Sequence, residues 1–147
     1  MQPIQTILHP TDFSHGSGDA FRLACSLARD HGARLIVLHV SSVPDLAYQG
    51  YGVPGAALPA EEYLAVLRQK LEQLKPPDSR LPIECRLEEG DPVTEILRVA
   101  ATLNANLIVL STHGQSGLRH LLMGSVAEQV VRKAPCAVLT LRAARVS

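Results

Sequence analysis

Tryptophan is missing from this 147-residue chain, and all aromatic residues together make up 3% of it. A core assembled from such a chain has to be aliphatic, which suits a parallel sheet buried between helices. Net charge is missing too, with 14 Lys and Arg against 14 Asp and Glu. A neutral chain exerts no long-range pull on DNA, RNA or anionic lipid, so no nucleic-acid or membrane partner is expected. The three cysteines, Cys25, Cys85 and Cys136, are odd in number and far apart, and no C-x-x-C occurs. They read as buried, reduced thiols inside helices or strands. Met1-Gln-Pro-Ile4 lacks the basic and apolar regions of a signal peptide, and no apolar run approaches membrane-spanning length. A soluble, cytoplasmic protein is the expectation. Both common phosphate-loop signatures are absent: there is no G-x-x-x-x-G-K-[ST], and no G-x-G-x-x-G follows the first strand. No Walker-type lysine therefore stands ready for terminal phosphates.

What is present is apolar residues, 46% of the chain, patterned as alternating strands and helices. The length and composition predict one domain spanning residues 1–147. Ile4 to His9 reads as a first strand. A helix follows, capped by Ser14 or Ser17, with Ala20, Phe21, Leu23, Ala24, Leu27 and Ala28 on one face and Gly32 as its stop. Ala33 to Val40 is a second, nearly continuous apolar strand. Residues 41–59 are rich in Gly and Pro and read as a long loop carrying Tyr48 and Tyr51. A second helix covers Glu61 to Leu74, with Tyr63, Val66, Leu67, Leu71 and Leu74 on its apolar face. Ile83 to Glu88 is a more polar strand, expected at an edge. Asp91-Pro92 gives an N-cap and first helical residue, and Val93, Ile96, Leu97 and Ala100 face the sheet. Asn106 to Leu110, a helix from Val126 to Lys133, and Ala137 to Leu141 complete the chain. Strict alternation predicts an α/β fold with a five-stranded parallel open sheet and helices on both faces.

The stretch from Ser111 to Ser125 joins the fourth strand to the last helix. A glycine-bearing loop at a helix N-terminus presents unpaired N–H groups and positive potential, an arrangement suited to phosphate. Gly114, nine residues, then Gly124-Ser125 resembles the nucleotide loop of the universal stress protein family, G-x2-G-x9-G-[ST]. Ser111 stands where the pattern has its first glycine. Ile7-Leu-His-Pro-Thr-Asp-Phe-Ser14, Leu38-His-Val40, Gly90-Asp-Pro92 and Ala134 to Leu141 also resemble that family. The resemblance implies the adenine nucleotide alpha hydrolase-like strand order 3-2-1-4-5, which places a ligand crevice where the order reverses, between strands one and four. It implies binding of an adenine nucleotide, ATP or else AMP or cyclic AMP, with Mg²⁺ as an optional companion. It also implies a regulatory binding module in stress response rather than an enzyme, acting on an unknown protein partner, and a homodimer paired through strand five (Ala137 to Leu141). The alternative within the family is a dimeric interaction protein that binds no nucleotide.

The candidate nucleotide-binding residues are Pro10, Thr11, Asp12, Val40, Ser111, Gly114, Gly117, Gly124, Ser125 and Val126. Asp12 ends the first strand as an Asx-turn residue; the resemblance gives it ribose hydroxyls or a phosphate-bound metal. Val40, by the same resemblance, offers its backbone to adenine. The amides of Gly124, Ser125 and Val126 are the expected phosphate donors. Ser125-x-x-Glu128 also fits a capping box. If the first loop position needs positive φ, Ser111 is strained there; if it needs only a small residue, serine is tolerated. Gly117 lies inside the loop but outside the pattern. Arg119 and His120 could neutralise phosphate or simply be solvated. His9, His39 and His113 fall at or just past the carboxyl ends of strands one, two and four. They are weak metal candidates, because no local ligand spacing accompanies them.

Overall fold

A computed structural model describes residues 2–42, 60–113 and 123–142. The elements are β1 (Thr6–Pro10), α1 (His15–His31), β2 (Arg34–Ser41), α2 (Ala60–Glu72), β3 (Ile83–Glu89), α3 (Pro92–Thr102), β4 (Leu107–Ser111), α4 (Ser125–Lys133) and β5 (Ala137–Leu141). The strands form one parallel sheet in the order β3-β2-β1-β4-β5. Leu8 at the centre pairs with Ile36 on one side and Ile108 on the other. The expected sheet and strand order are therefore present.

Strand alternation divides the core in two. Ile7, Leu35, Val37, Leu107 and Val109 face α1 and α2 and pack on Phe21, Ala24, Ala28 and Leu71. Leu8, Ile36, Leu38, Ile108 and Leu110 face α3 and α4 and pack on Ile96, Val99, Ala127 and Val130. The central strands are apolar on both faces because both faces are covered.

Local chemistry sets the helix ends. Ser14, not Ser17, caps α1, its hydroxyl accepting from Ser17 N at 3.2 Å. Gly32 ends α1 at φ 62°, and Ala33 N donates back to Ala28 O at 2.9 Å, a left-handed stop that suits glycine. Asp91 caps α3 through Thr94 N at 2.9 Å, with Pro92 at the first helical position. Beyond α3, Asn104 takes the left-handed conformation at φ 51°. Asn106 precedes β4 rather than opening it. Its side-chain oxygen accepts from Gln5 N and Thr6 N, both at 2.9 Å, and so ties down the entry to β1.

The start of α4 differs from the capping-box expectation. Gly124 is the N-cap, Ser125 is the first helical residue, and no side chain among the described residues caps the helix. Glu128 pairs with Arg132 at 2.7 Å instead of reaching back. The reason is a bond from outside the helix: Gly124 N donates to Thr112 O at 2.6 Å and fixes the chain's entry one residue early.

The cysteine expectation also needs correction. Cys25 is buried, but Cys136 is half-buried just before β5 and Cys85 is exposed on edge strand β3. An edge strand has a neighbour on one side only, so its small side chains are left open. The outward row of β3 is charged and paired. Glu84 meets Arg34 at 3.0 Å, and Glu88 meets Arg86 at 2.8 Å and Arg98 at 3.2 Å. At the other edge, Leu139 of β5 is 38% exposed. Among the described residues no helix is long and apolar enough to cross a membrane.

Candidate functional site

The carboxyl ends of β1, β2 and β4 open into a cleft of about 600 Å³, within the usual range for a small-molecule site. It lies at the strand-order reversal, where such sheets bind ligands. Its floor is the Pro10-Thr11-Asp12 turn, which β2 and α1 hold still. Thr11 N donates to Leu38 O of β2 at 2.8 Å. The Thr11 hydroxyl accepts from Ser17 Oγ of α1 at 2.7 Å and from Phe13 N at 3.1 Å. Thr11 O accepts from His39 Nδ1 at 2.7 Å. Asp12 uses one carboxylate oxygen in an Asx turn to Ser14 N at 3.0 Å. Phe13 then sits at φ 63°, a conformation unusual for a bulky residue, with its ring 4.6 Å from the His39 ring.

The second wall comes from β4 and α4. Ser111 closes β4 in register with Leu141, and its backbone is not left-handed. Serine therefore fits this position without strain: a small residue is all that the turn requires. Its hydroxyl donates to His113 O at 3.1 Å and holds the turn. Gly124 is needed for close approach rather than for its torsion, since its φ is −69°. A Cβ there would lie 3.1 Å from Thr112 O, a backbone atom that cannot swing aside. Because Gly124 N–H is taken by Thr112 O, it is no phosphate donor in this conformation, contrary to expectation. The amides of Ser125 and Val126, the first two of α4, have no partner among the described residues. They carry the positive end of the helix dipole into the cleft.

Pro10, Thr11, Asp12, Val40, Ser111, Gly124, Ser125 and Val126 all line this one cleft. Gly114, Gly117, Tyr48, Tyr51, Arg119 and His120 lie outside the described residues.

The histidines serve separate ends. His9 is wholly buried on the α1 side, its ring 5.9 Å from Phe21 and its Nδ1 2.9 Å from Val109 O. Burial pushes its pKa down to about 4, against smaller raising effects from the Val109 bond and Asp12. His39 braces Thr11, and His113 Nδ1 meets the Thr112 hydroxyl at 2.9 Å. Among the described residues no group of three or more His, Cys, Asp or Glu is placed to share a metal ion.

The third wall was not foreseen as part of a site. Tyr63, Val66, Leu67 and Lys70 of α2 line the cleft. Only Leu67 and Leu71 of the expected apolar face of α2 are buried. Val66 is 40% exposed. The signal available was Lys70 itself, a charge set three residues from Leu67 on the stripe read as core.

The sequence profile described as the Universal stress protein family matches residues 3–142. The chain belongs to the universal stress protein family. A universal stress protein of Methanocaldococcus jannaschii is 32% identical over 146 residues, covering 92% of this chain and 81% of that protein. The solved structure of the universal stress protein UspA from Lactobacillus plantarum matches with a TM-score of 0.74 at 26% identity, covering 97% of this chain and all of the other. A universal stress protein solved in complex with cAMP matches with a TM-score of 0.64 at 27% identity, covering 97% and 100%. The residues at the cleft offer partners for phosphate and for hydroxyls or a metal. Two helix amides with no partner among the described residues suit phosphate, the absent Cβ at Gly124 lets Thr112 O close against the start of α4, and a carboxylate at Asp12 suits hydroxyls or a metal.

Proposed function

We propose that this universal stress protein binds an adenine nucleotide in the cleft, ATP first with AMP and cyclic AMP as rivals, and acts as a nucleotide-responsive binding module rather than a catalyst. The observation that carries this is the pair of amides unpartnered among the described residues, Ser125 and Val126, opening into a cleft whose floor holds Asp12. A family member solved with cAMP supports the ligand class. In this reading the α4 amides and the Ser125 hydroxyl hold phosphate, Asp12 holds ribose hydroxyls or a nucleotide-bound Mg²⁺, and the Val40 backbone meets adenine. The Thr112 hydroxyl and His113 Nδ1 meet at 2.9 Å beside the cleft, and in this reading that pair holds the turn after β4 rather than acting on a ligand. Occupancy therefore acts by shifting populations: the cleft's loops favour one arrangement when filled, and a protein partner reads it. The remaining proposals are a single domain in the cytoplasm and a homodimer through β5, supported by the exposed apolar Leu139 at that edge.

The test is a thermal-shift titration with ATP·Mg²⁺, AMP and cyclic AMP on the native protein and on Gly124→Ala. Ligand at a hundred times Kd adds about 2.7 kcal/mol. We expect a saturable rise in melting temperature for the native protein. Gly124→Ala should reduce it, because the new Cβ lies 3.1 Å from Thr112 O and the start of α4 must shift to relieve the contact. No rise with any nucleotide at millimolar concentration would overturn the proposal and favour a dimeric interaction protein.

A further inference from the structure

The cleft carries one fixed negative charge and one fixed positive charge among its described lining residues, Asp12 and Lys70. Their relation is unusual. Lys70 is paired with no carboxylate among the described residues. Its ammonium instead rests 5.5 Å from the centroid of the Phe13 ring, the residue immediately after Asp12. Most arginines of the described chain, by contrast, are held in ion pairs. An aromatic face attracts a cation without using its N–H donors. Lys70 is therefore positioned by Phe13 while all three donors stay usable, and Phe13 is itself turned there by its left-handed backbone.

Position adds to charge. A space of about 600 Å³ is roughly 10 Å across if equidimensional, the scale of a site that encloses most of its ligand. An occupant that touches the α4 amides shares this cleft with the α2 wall that carries Lys70. Two neutral amides and a dipole of about half a charge leave a polyphosphate's charge largely unmet. Only Lys70 among the described lining residues carries a permanent opposite charge.

We propose that Lys70 is a specificity-determining residue of the cleft, binding the outer phosphates of a nucleotide and thereby setting preference for the polyphosphate over the monophosphate. The inference rests on the nucleotide reading of the cleft. It assigns to α2, far from the glycine loop in sequence, the charge that a Walker lysine supplies elsewhere.

The experiment is isothermal titration of native protein, Lys70→Met and Lys70→Arg with ATP, AMP and adenosine, at low and high salt. Methionine keeps the length and the packing on Phe13 but removes the charge. We expect Lys70→Met to weaken ATP about tenfold or more, as loss of a charge-assisted contact does. AMP should weaken less and adenosine not at all. The salt dependence of ATP binding should flatten, and Lys70→Arg should restore most of the affinity. An equal loss for all three ligands would show a structural or base-side role and overturn the inference alone. So would unchanged ATP affinity in Lys70→Met. A native protein that binds none of the three would overturn the nucleotide reading and the inference with it. The urea midpoint of each variant, expected to match the native value, checks that the fold is intact.

Discussion

Acid should unfold this protein through His9. The side chain is 0% exposed, and its Nδ1 faces the Val109 carbonyl oxygen at 2.9 Å. A carbonyl only accepts, so Nδ1 carries the proton and the ring is neutral. Nε2 is then a bare lone pair with no partner among the described residues. Protonation would place an N–H and a charge in apolar surroundings with no acceptor, so the pKa falls from the ordinary 6.5 to about 4. The unfolded chain takes up this proton below pH 6.5 and the folded chain does not until about pH 4. Stability due to His9 is thus intact above that window, declines as pH falls through it, and levels off below it. The loss comes to roughly 3 kcal/mol, because each tenfold difference in proton affinity between the folded and unfolded chain is worth about 1.4 kcal/mol. That is a large share of a small domain's margin. The assay is urea unfolding of the native protein and His9→Asn from about pH 7.5 to pH 4, a range that brackets the window. Asparagine can still donate to Val109 O but does not titrate. The difference between the two curves removes the other histidines and the carboxylates. Native stability should fall more steeply than the variant's by the stated amount. Parallel curves, or an imidazole resonance for His9 titrating at its ordinary 6.5, would refute the reasoning.

Two further outcomes are expected. Ser14→Ala, which removes the α1 cap bond to Ser17 N, should cost about 1 kcal/mol by urea unfolding while Ser14→Gly costs only a few tenths; equal costs would show that the hydroxyl matters elsewhere. Leu139→Lys, at the exposed apolar position of β5, should convert a dimer to a monomer in sedimentation velocity at micromolar concentration, and a native protein that already sediments as a monomer removes the β5 pairing.

The sequence disclosed the alternation of strands and helices because each central strand is buried on both faces and each helix on one. Such patterns survive without knowing the neighbours. Strand order is a property of connections and came only with the family resemblance. The polarity of β3 marked it as an edge because Glu84, Arg86 and Glu88 share its uncovered face. Cys85 lies on the opposite face, towards Leu71 of α2, and stays exposed because β3 has a strand neighbour on one side only. At the cleft, Asp12, Val40 and Gly124 were legible because they end strands or begin a helix, where the chain itself locates the crevice. The α4 cap was misread because Ser125-x-x-Glu128 is a local pattern, while the bond that decides the entry joins Gly124 to Thr112, twelve residues back in the sequence. Lys70 and Phe13 were missed for a related reason. Their meeting depends on α2 folding over the end of β1, and nothing in either segment alone announces the other.

The two margins of the sheet impose a polarity on assembly. At β5, a largely apolar strand, the outer edge pairs with no other strand among the described residues. At β3 a newcomer would have to disturb Glu84, Arg86 and Glu88, each already satisfied by a cation or carboxylate of its own molecule. Adding strands is thus permitted at one end and discouraged at the other. Two copies that meet at β5 use up both permissive ends and expose only charged ones, so growth terminates at two. A sheet with two such apolar margins would have no stopping point. If the copies pair at β5 as proposed, the arginine and glutamate ladder is what makes the assembly finite.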